Sequence, residues 1–334
     1  GVRRREAGFA EAGKPATLEV VAVAPGGQRV EKLTVALEVK RREWKWIRKK
    51  GAGGEWYTDS EVKEEKVGGC ALSSAATPAE CAFTPKEPGL YVAEATLTDE
   101  KGRKQTTKMP FYAVGSGWVS WERGDTSRLD LVPDRQKYEP GDTAKVLVKS
   151  PWPEAEAILT VEREGVSAAR RVKLAGAAAT LEVPIGEDAI PNVFVSVVAV
   201  RGRQAVKADT ADAGADPGRP EVKVGYAQLR VEKRSKRLEV TVVPDATERR
   251  PREKVTVAVQ VKDHRGQGTV AEVTAWAVDE GVLRLTGYEA PDPVELLHPP
   301  RGLSVRLGEP LIHLVERRKY GEKGLSAGGG GGAG

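Results

Sequence analysis

Apolar and polar residues alternate with a period of two along most of this chain, and no long segment carries the 3.6-residue period of an amphipathic helix. Residues 17–20, 33–39, 145–149, 180–183 and 254–261 all follow the short period. Runs of this kind form strands with one buried face and one wet face. They are short, and turns rich in Pro, Gly, Asn and Asp separate them, which points to β-sandwiches. The pattern predicts an all-β protein. One short helix is allowed near 278–285, where Val278-Asp279-Glu280-Gly281-Val282-Leu283 departs from alternation.

The pattern also repeats. Leu131-Val132-Pro133-Asp134 precedes Tyr138-Glu139-Pro140-Gly141-Asp142 and the alternating Lys145-Val146-Leu147-Val148. At a spacing of 111 residues follow Val242-Val243-Pro244-Asp245, Pro251 and Thr256-Val257-Ala258-Val259, with Arg252 in place of Gly141. Upstream, Gly13-Lys14-Pro15-Ala16-Thr17-Leu18-Glu19-Val20 is a fainter copy of 141–148. Pro88-Gly89-Leu90-Tyr91 parallels Pro191-Asn192-Val193-Phe194, each expected to feed a late strand bearing a core aromatic. Copies spaced at domain length mean tandem modules rather than a solenoid. The expected sandwiches are 1–115, 116–222 and 223–312, with 211–220 as a Gly/Pro-bearing loop before the third. Residues 313–334 form an expected tail that ends in a glycine run, which buries nothing and loses much entropy on ordering, so it is expected to be flexible.

A length of 334 residues fits two or three domains. With one Met and four Phe, the cores must be built from Val, Leu, Ala and seven Trp. A net charge of +5 comes from 53 basic and 48 acidic residues, and basic runs such as Lys40-Arg41-Arg42 sit beside acidic ones. Nucleic acid is therefore not an expected partner, since binding it needs a basic stripe with stacking aromatics. No apolar run approaches the roughly 18 residues that cross a bilayer, so this segment is not expected to insert in a membrane. The start at Gly1 and the closing glycines read as a fragment of a longer protein.

Catalytic chemistry has little to work with. His264, His298 and His313 are scattered, with no metal-ligand spacing and no implied cofactor. There is no Gly-x-Ser-x-Gly elbow and no phosphate loop. Asp279 and Glu280, if on a strand, face opposite ways. The chain reads as no enzyme. Arg123-Gly124-Asp125 is taken as a chance tripeptide in a connection. Trp44 and Trp46 share a strand face and are expected to cover the core or fill a seam between modules. Cys70 and Cys81, eleven positions apart, fit either a disulfide or two buried free thiols.

Three stretches, in this order, resemble the bacterial branch of the alpha-2-macroglobulin family of protease traps. The first is Arg41-Arg42-Glu43-Trp44-Lys45-Trp46 with Cys70, Cys81 and Pro88-Gly89-Leu90-Tyr91. The second is Trp121 with the 131–134 and 138–142 motifs. The third is Ala277-Val278-Asp279-Glu280-Gly281-Val282-Leu283-Arg284-Leu285, continuing through Tyr288 and Pro291-Asp292-Pro293, similar to the approach to a protease bait. The resemblance implies fibronectin-III-like macroglobulin sandwiches stacked into a cage that rearranges when a protease cuts an exposed bait. It implies a broad-spectrum endopeptidase inhibitor whose partners are target endopeptidases and the other domains of the parent chain. It also implies an extracytoplasmic location, in the periplasm or cell envelope, and hence a Cys70–Cys81 disulfide. The Cys-Gly-Glu-Gln thioester of many members is absent here, because Ala follows both cysteines. The bait is expected to begin within 316–334, with Arg317, Arg318, Lys319 and Lys323 most open to trypsin-like proteases. The alternative is a structural or adhesive β-sandwich stalk, to which a cleavable insert would add nothing.

Overall fold

The alternating runs become strands, and what their inner faces bury sets the architecture. The computed structural model describes residues 1–50, 56–99, 101–117, 119–122, 127–205, 218, 220–250 and 252–308. Its first strands are β1 (Val2–Arg4), β2 (Ala10–Glu11), β3 (Ala16–Val20), β4 (Thr34–Lys50), β5 (Trp56–Ser73), β6 (Ala79–Phe83), β7 (Gly89–Thr98) and β8 (Lys104–Val114). Then come β9 (Asp130–Pro133), β10 (Thr143–Lys149), β11 (Glu154–Glu162), β12 (Val166–Ala175), β13 (Ala178–Pro184), β14 (Asn192–Arg201) and β15 (Glu221–Arg230). Last are β16 (Glu239–Pro244), β17 (Val257–Lys262) and two short helices, α1 (Glu280–Thr286) and α2 (Pro293–Leu297).

Two sandwiches share one plan. The first faces the sheet β1-β3-β6 against β5-β4-β7-β8, which β2 extends in parallel at its β8 edge. The second faces β9-β10-β13 against β12-β11-β14-β15. In both, the first, second and fifth long strands make one layer, and the third, fourth, sixth and seventh make the other. This is the arrangement of a seven-stranded, fibronectin-III-like sandwich, and the fold is all-β. Among the described residues no strand of the first pairs with a strand of the second.

Alternation explains the cores. Val35, Leu37 and Val39 of β4 point inward with Tyr91, Ala93 and Ala95 of β7. Ala144, Val146 and Val148 of β10 do so with Val193, Val195, Val197 and Ala199 of β14. Full burial of each of these valines and leucines contributes about 1.5–3 kcal/mol. Tyr91 packs on Phe83 and Phe111, with ring centroids 5.6 and 5.5 Å away. Phe194 breaks the parallel with Tyr91. It is only half-buried and sits on the outer face of β14, while Val193 and Val195 supply the core. The two motifs align by letter but differ by one residue in register, and a shift of one residue on a strand exchanges the faces.

The 111-residue spacing survives as hydrogen-bond register. Val146 stands opposite Pro133 and Val257 opposite Pro244; Val148 stands opposite Leu131 and Val259 opposite Val242. Even the bond that follows recurs, with the N–H of Asp134 on the carbonyl of Lys145 and the N–H of Asp245 on that of Thr256. β16 and β17 are thus a third copy of the opening hairpin of the sandwich. The third unit differs from the other two in what covers that hairpin. Among the described residues no second sheet faces it, and Val240, Val242, Val243, Val257 and Val259 all stay exposed.

Residue 222, the second division expected from sequence, lies within β15, which pairs with β14 from Glu221 to Arg230. The Gly/Pro-bearing connection before it joins two neighbouring strands of one sheet instead of two modules.

Candidate functional site

Arg317, Arg318, Lys319 and Lys323 lie outside the described residues, as do His313 and Arg123-Gly124-Asp125. What the structure does describe is the chain leading toward the first four. After β17 it runs without regular structure to α1, then through α2 and on to residue 308. Most of its side chains are exposed, among them Trp276, Leu285 and Leu297; Val294 is buried.

The two helices start where their caps require. The Asp279 carboxylate accepts the N–H of Gly281 at 2.7 Å and opens α1. Asp292 accepts the N–H of Val294 at 2.9 Å, with Pro293 in the first helical position, where a missing N–H costs nothing. Asp279 and Glu280 therefore do not lie on a strand: one caps α1 and the other pairs along it with Arg284 at 2.6 Å. Helix α2 is held by exposed ion pairs, Lys233 Nζ to Glu295 at 2.7 Å and Arg237 to Asp292. The Arg237 contact holds the Asp292 carboxyl below its ordinary range. Such pairs contribute little stability individually, about 0–1 kcal/mol, but they orient the helix.

Beyond α2 the chain returns to the second sandwich. The N–H of Arg301 donates to Asn192 Oδ1 at 2.8 Å, and Asn192 Nδ2 donates to the carbonyl of Arg301 at 2.9 Å. The N–H of Ser304 donates to the carbonyl of Arg163 at 2.8 Å. Arg301 Nη1 meets Glu164 Oε1, also at 2.8 Å. Arg163 itself lies on the turn between β11 and β12, and its Nη1 donates to the carbonyls of Asp188, Ile190 and Asn192 at 3.1, 3.1 and 3.3 Å. One residue thus holds the turn beside Asn192 with its side chain and the returning segment with its backbone. Sequence reasoning missed this group: an Asn at the start of a strand carries no periodic signal, and its partner lies 109 positions away.

Arg163 first, and Arg301 second, push the Glu164 carboxyl down to about 2. A depressed carboxyl contributes stability that is fully present above its unfolded value and lost as pH falls through the folded one. The Glu164–Arg301 contact should therefore be insensitive to pH between 5 and 8 and loosen only in strong acid. Amide exchange at Arg301, corrected for its intrinsic pH dependence, checks this.

The other residues singled out from sequence fall at separate places. Cys70 and Cys81 are bonded, with a Cα separation of 6.0 Å, and the bond ties β5 to β6 across the two layers of the first sandwich. Trp44 lies in the part of β4 that extends past β7 and packs into a seam with Leu90, Val119, Trp121, Leu147, Ala177 and Ala178. His264 sits in the turn after β17 and His298 at the end of α2. Among the described residues no group of three or more His, Cys, Asp or Glu is arranged to hold a metal, and no helix is long and apolar enough to cross a membrane.

Comparison with known proteins agrees with this architecture. The family model for the bacterial macroglobulin domain 6 matches residues 1–118, the first sandwich. The model for the alpha-2-macroglobulin bait region domain matches residues 129–285, which takes in the second sandwich, the β16–β17 hairpin and most of α1. The alpha-2-macroglobulin homolog of Nostoc sp. is 26% identical over 96% of this chain, and the match covers 17% of that protein. The alpha-2-macroglobulin of Xylella fastidiosa is 30% identical over 89% of this chain, again across 17% of its own length. The native conformation of Escherichia coli alpha-2-macroglobulin aligns over 88% of this chain and 19% of that one, at 20% identity and a TM-score of 0.32. The chain thus spans less than a fifth of these relatives. With two of the family's domain models matched in order along most of its length, the chain belongs to the bacterial alpha-2-macroglobulin family.

Proposed function

We propose that this chain is the bait-presenting part of a protease trap, an endopeptidase inhibitor and not an enzyme. The reading rests chiefly on one contrast in burial. Residues up to about 231 build two sandwiches with dense cores, whereas most side chains described from 237 onward are exposed. A protease binds its substrate as an extended strand, so cutting is cheap only in chain that can leave its fold at little cost. A cored mount followed by coreless chain meets that requirement. On this reading the modules are three, the third carries the bait, and the first cuts fall at Arg317, Arg318, Lys319 or Lys323. The partners are endopeptidases and the remaining domains of the parent chain. The Cys70–Cys81 bond fits an oxidising, extracytoplasmic setting, the periplasm or cell envelope.

Full-length parent protein treated briefly with trypsin tests the proposal. The first cut should map at or beyond residue 317, the particle should change its hydrodynamic size, and the protease should stay bound. First cuts between the sandwiches, or a nick that alters neither size nor protease activity, would leave the stalk reading in its place.

A further inference from the structure

We propose that the second sandwich carries a docking site for an extended backbone, formed by the side-chain amide of Asn192 and the main-chain carbonyl of Arg163, and that its occupant is the segment 301–304 of the same chain. Asn192 is almost fully buried, at 1% exposure, yet both ends of its amide are spent on the backbone of a single residue, Arg301. That is how one strand reads another: a donor and an acceptor exchanged with the same residue. Three positions on, the N–H of Ser304 finds the carbonyl of Arg163, so the segment is held at two points along its length. The side chains of the segment take little part, apart from the exposed Arg301–Glu164 pair. The site therefore reads backbone.

The arrangement is preorganised on the sandwich side. Arg163 draws the carbonyls of Asp188, Ile190 and Asn192 together, which fixes the start of β14 before the segment arrives. No comparable fixing exists on the segment side, where residues 299–308 form no regular structure. The consequence rests on the proposed function. The clasp makes a local boundary in protease sensitivity: the bond after Arg301 is shielded within it, and the bond after Arg306 lies past it. A cut downstream would leave its upstream stump fastened to the second sandwich.

Amide exchange and limited trypsinolysis of the 334-residue chain test the clasp without any measure of inhibition, so the clasp and the trap reading can fail separately. Arg301→Pro removes the N–H that Asn192 accepts, at an exposed position outside every strand, so the sandwiches remain folded. The amide of Ser304 should exchange roughly tenfold faster in Arg301→Pro than in the parent, in line with the loss of a cooperative pair of neutral hydrogen bonds. Asn192→Ala should give the same acceleration, and should also raise trypsin cutting after Arg301 by a similar factor while cutting after Arg306 changes little. If Asn192→Ala fails to fold, Arg301→Pro alone decides. Equal exchange at Ser304 in the parent and Arg301→Pro, or equal cutting after Arg301 and Arg306 in the parent, overturns the proposal.

Discussion

Replacing Trp121 with alanine should split the thermal unfolding of the two cored sandwiches into separable steps and cost roughly 3–5 kcal/mol, the usual range for truncating a buried aromatic. Trp121 lies on the link between them and is 3% exposed. Its indole N–H donates to the carbonyl of Ala177 at 2.5 Å, and its ring lies 6.1 Å from that of Tyr112. The Lys149 ammonium sits 5.1 Å from the Tyr112 ring and 5.5 Å from that of Trp121, adding cation–π attraction. Around it gather Trp44 and Leu90 from the first sandwich with Leu147, Ala177 and Ala178 from the second. Alanine would open a void where the two bodies share a core, and would leave the Ala177 carbonyl with only the Ser150 N–H, at 3.2 Å, as a donor among the described residues. Each sandwich keeps its own interior, built on Tyr91 in one and Trp152 in the other. Calorimetry should therefore show one coupled transition in the parent and two in the variant. Trp121→Phe keeps most of the packing and loses the donor, so it should cost about 1 kcal/mol. A variant that melts in a single step at the parental midpoint would mean that the seam transmits nothing.

This seam was only partly legible in the sequence. Trp44 was expected to cover a core or fill a seam, and it fills the seam. The sharper clue was Val146-Leu147-Val148, an apolar run inside an otherwise alternating strand. Val146 and Val148 face the interior of the second sandwich, and Leu147, on the other face, is just as fully buried because the first sandwich covers it. A break in alternation marks a strand covered on both sides. The repeat was legible for a similar reason, since a proline ending one strand and a valine run in the next constrain the register between them. Three things were not legible. The end of the second sandwich was obscured by a loop that looks like a linker. Helix α2 carried a usable signal, Asp292 followed by Pro293, that the surrounding β pattern outweighed. The clasp at Asn192 depends on a long-range backbone contact, which no local pattern encodes.

Breaking the Cys70–Cys81 bond should destabilise the first sandwich by about 3 kcal/mol, the loop-entropy expectation for a ring of this size. The ring is short, with a sequence separation of eleven, but it joins strands of opposite sheets rather than neighbours in one sheet. Cys70 stands opposite Leu37 in the pairing of β5 with β4, and Cys81 stands opposite Leu18 in the pairing of β6 with β3. Both leucines are deeply buried, so the bond pins the two layers together at the centre of the core. In the unfolded chain the same bond denies residues 71–80 much of their freedom, and that is where most of the stabilisation arises. The double substitution Cys70→Ala with Cys81→Ala should lower the midpoint of the first sandwich on the order of 10–20 °C. It should also steepen the dependence on urea, because the unfolded chain exposes more surface without the crosslink. In the Trp121→Ala background, where the two sandwiches are expected to unfold separately, the second sandwich supplies the internal reference, since it holds no cysteine. Reduction of the parent under mild denaturant should reproduce the shift. An unchanged midpoint in the double variant would place the stability of the first sandwich wholly in its aromatic and valine core.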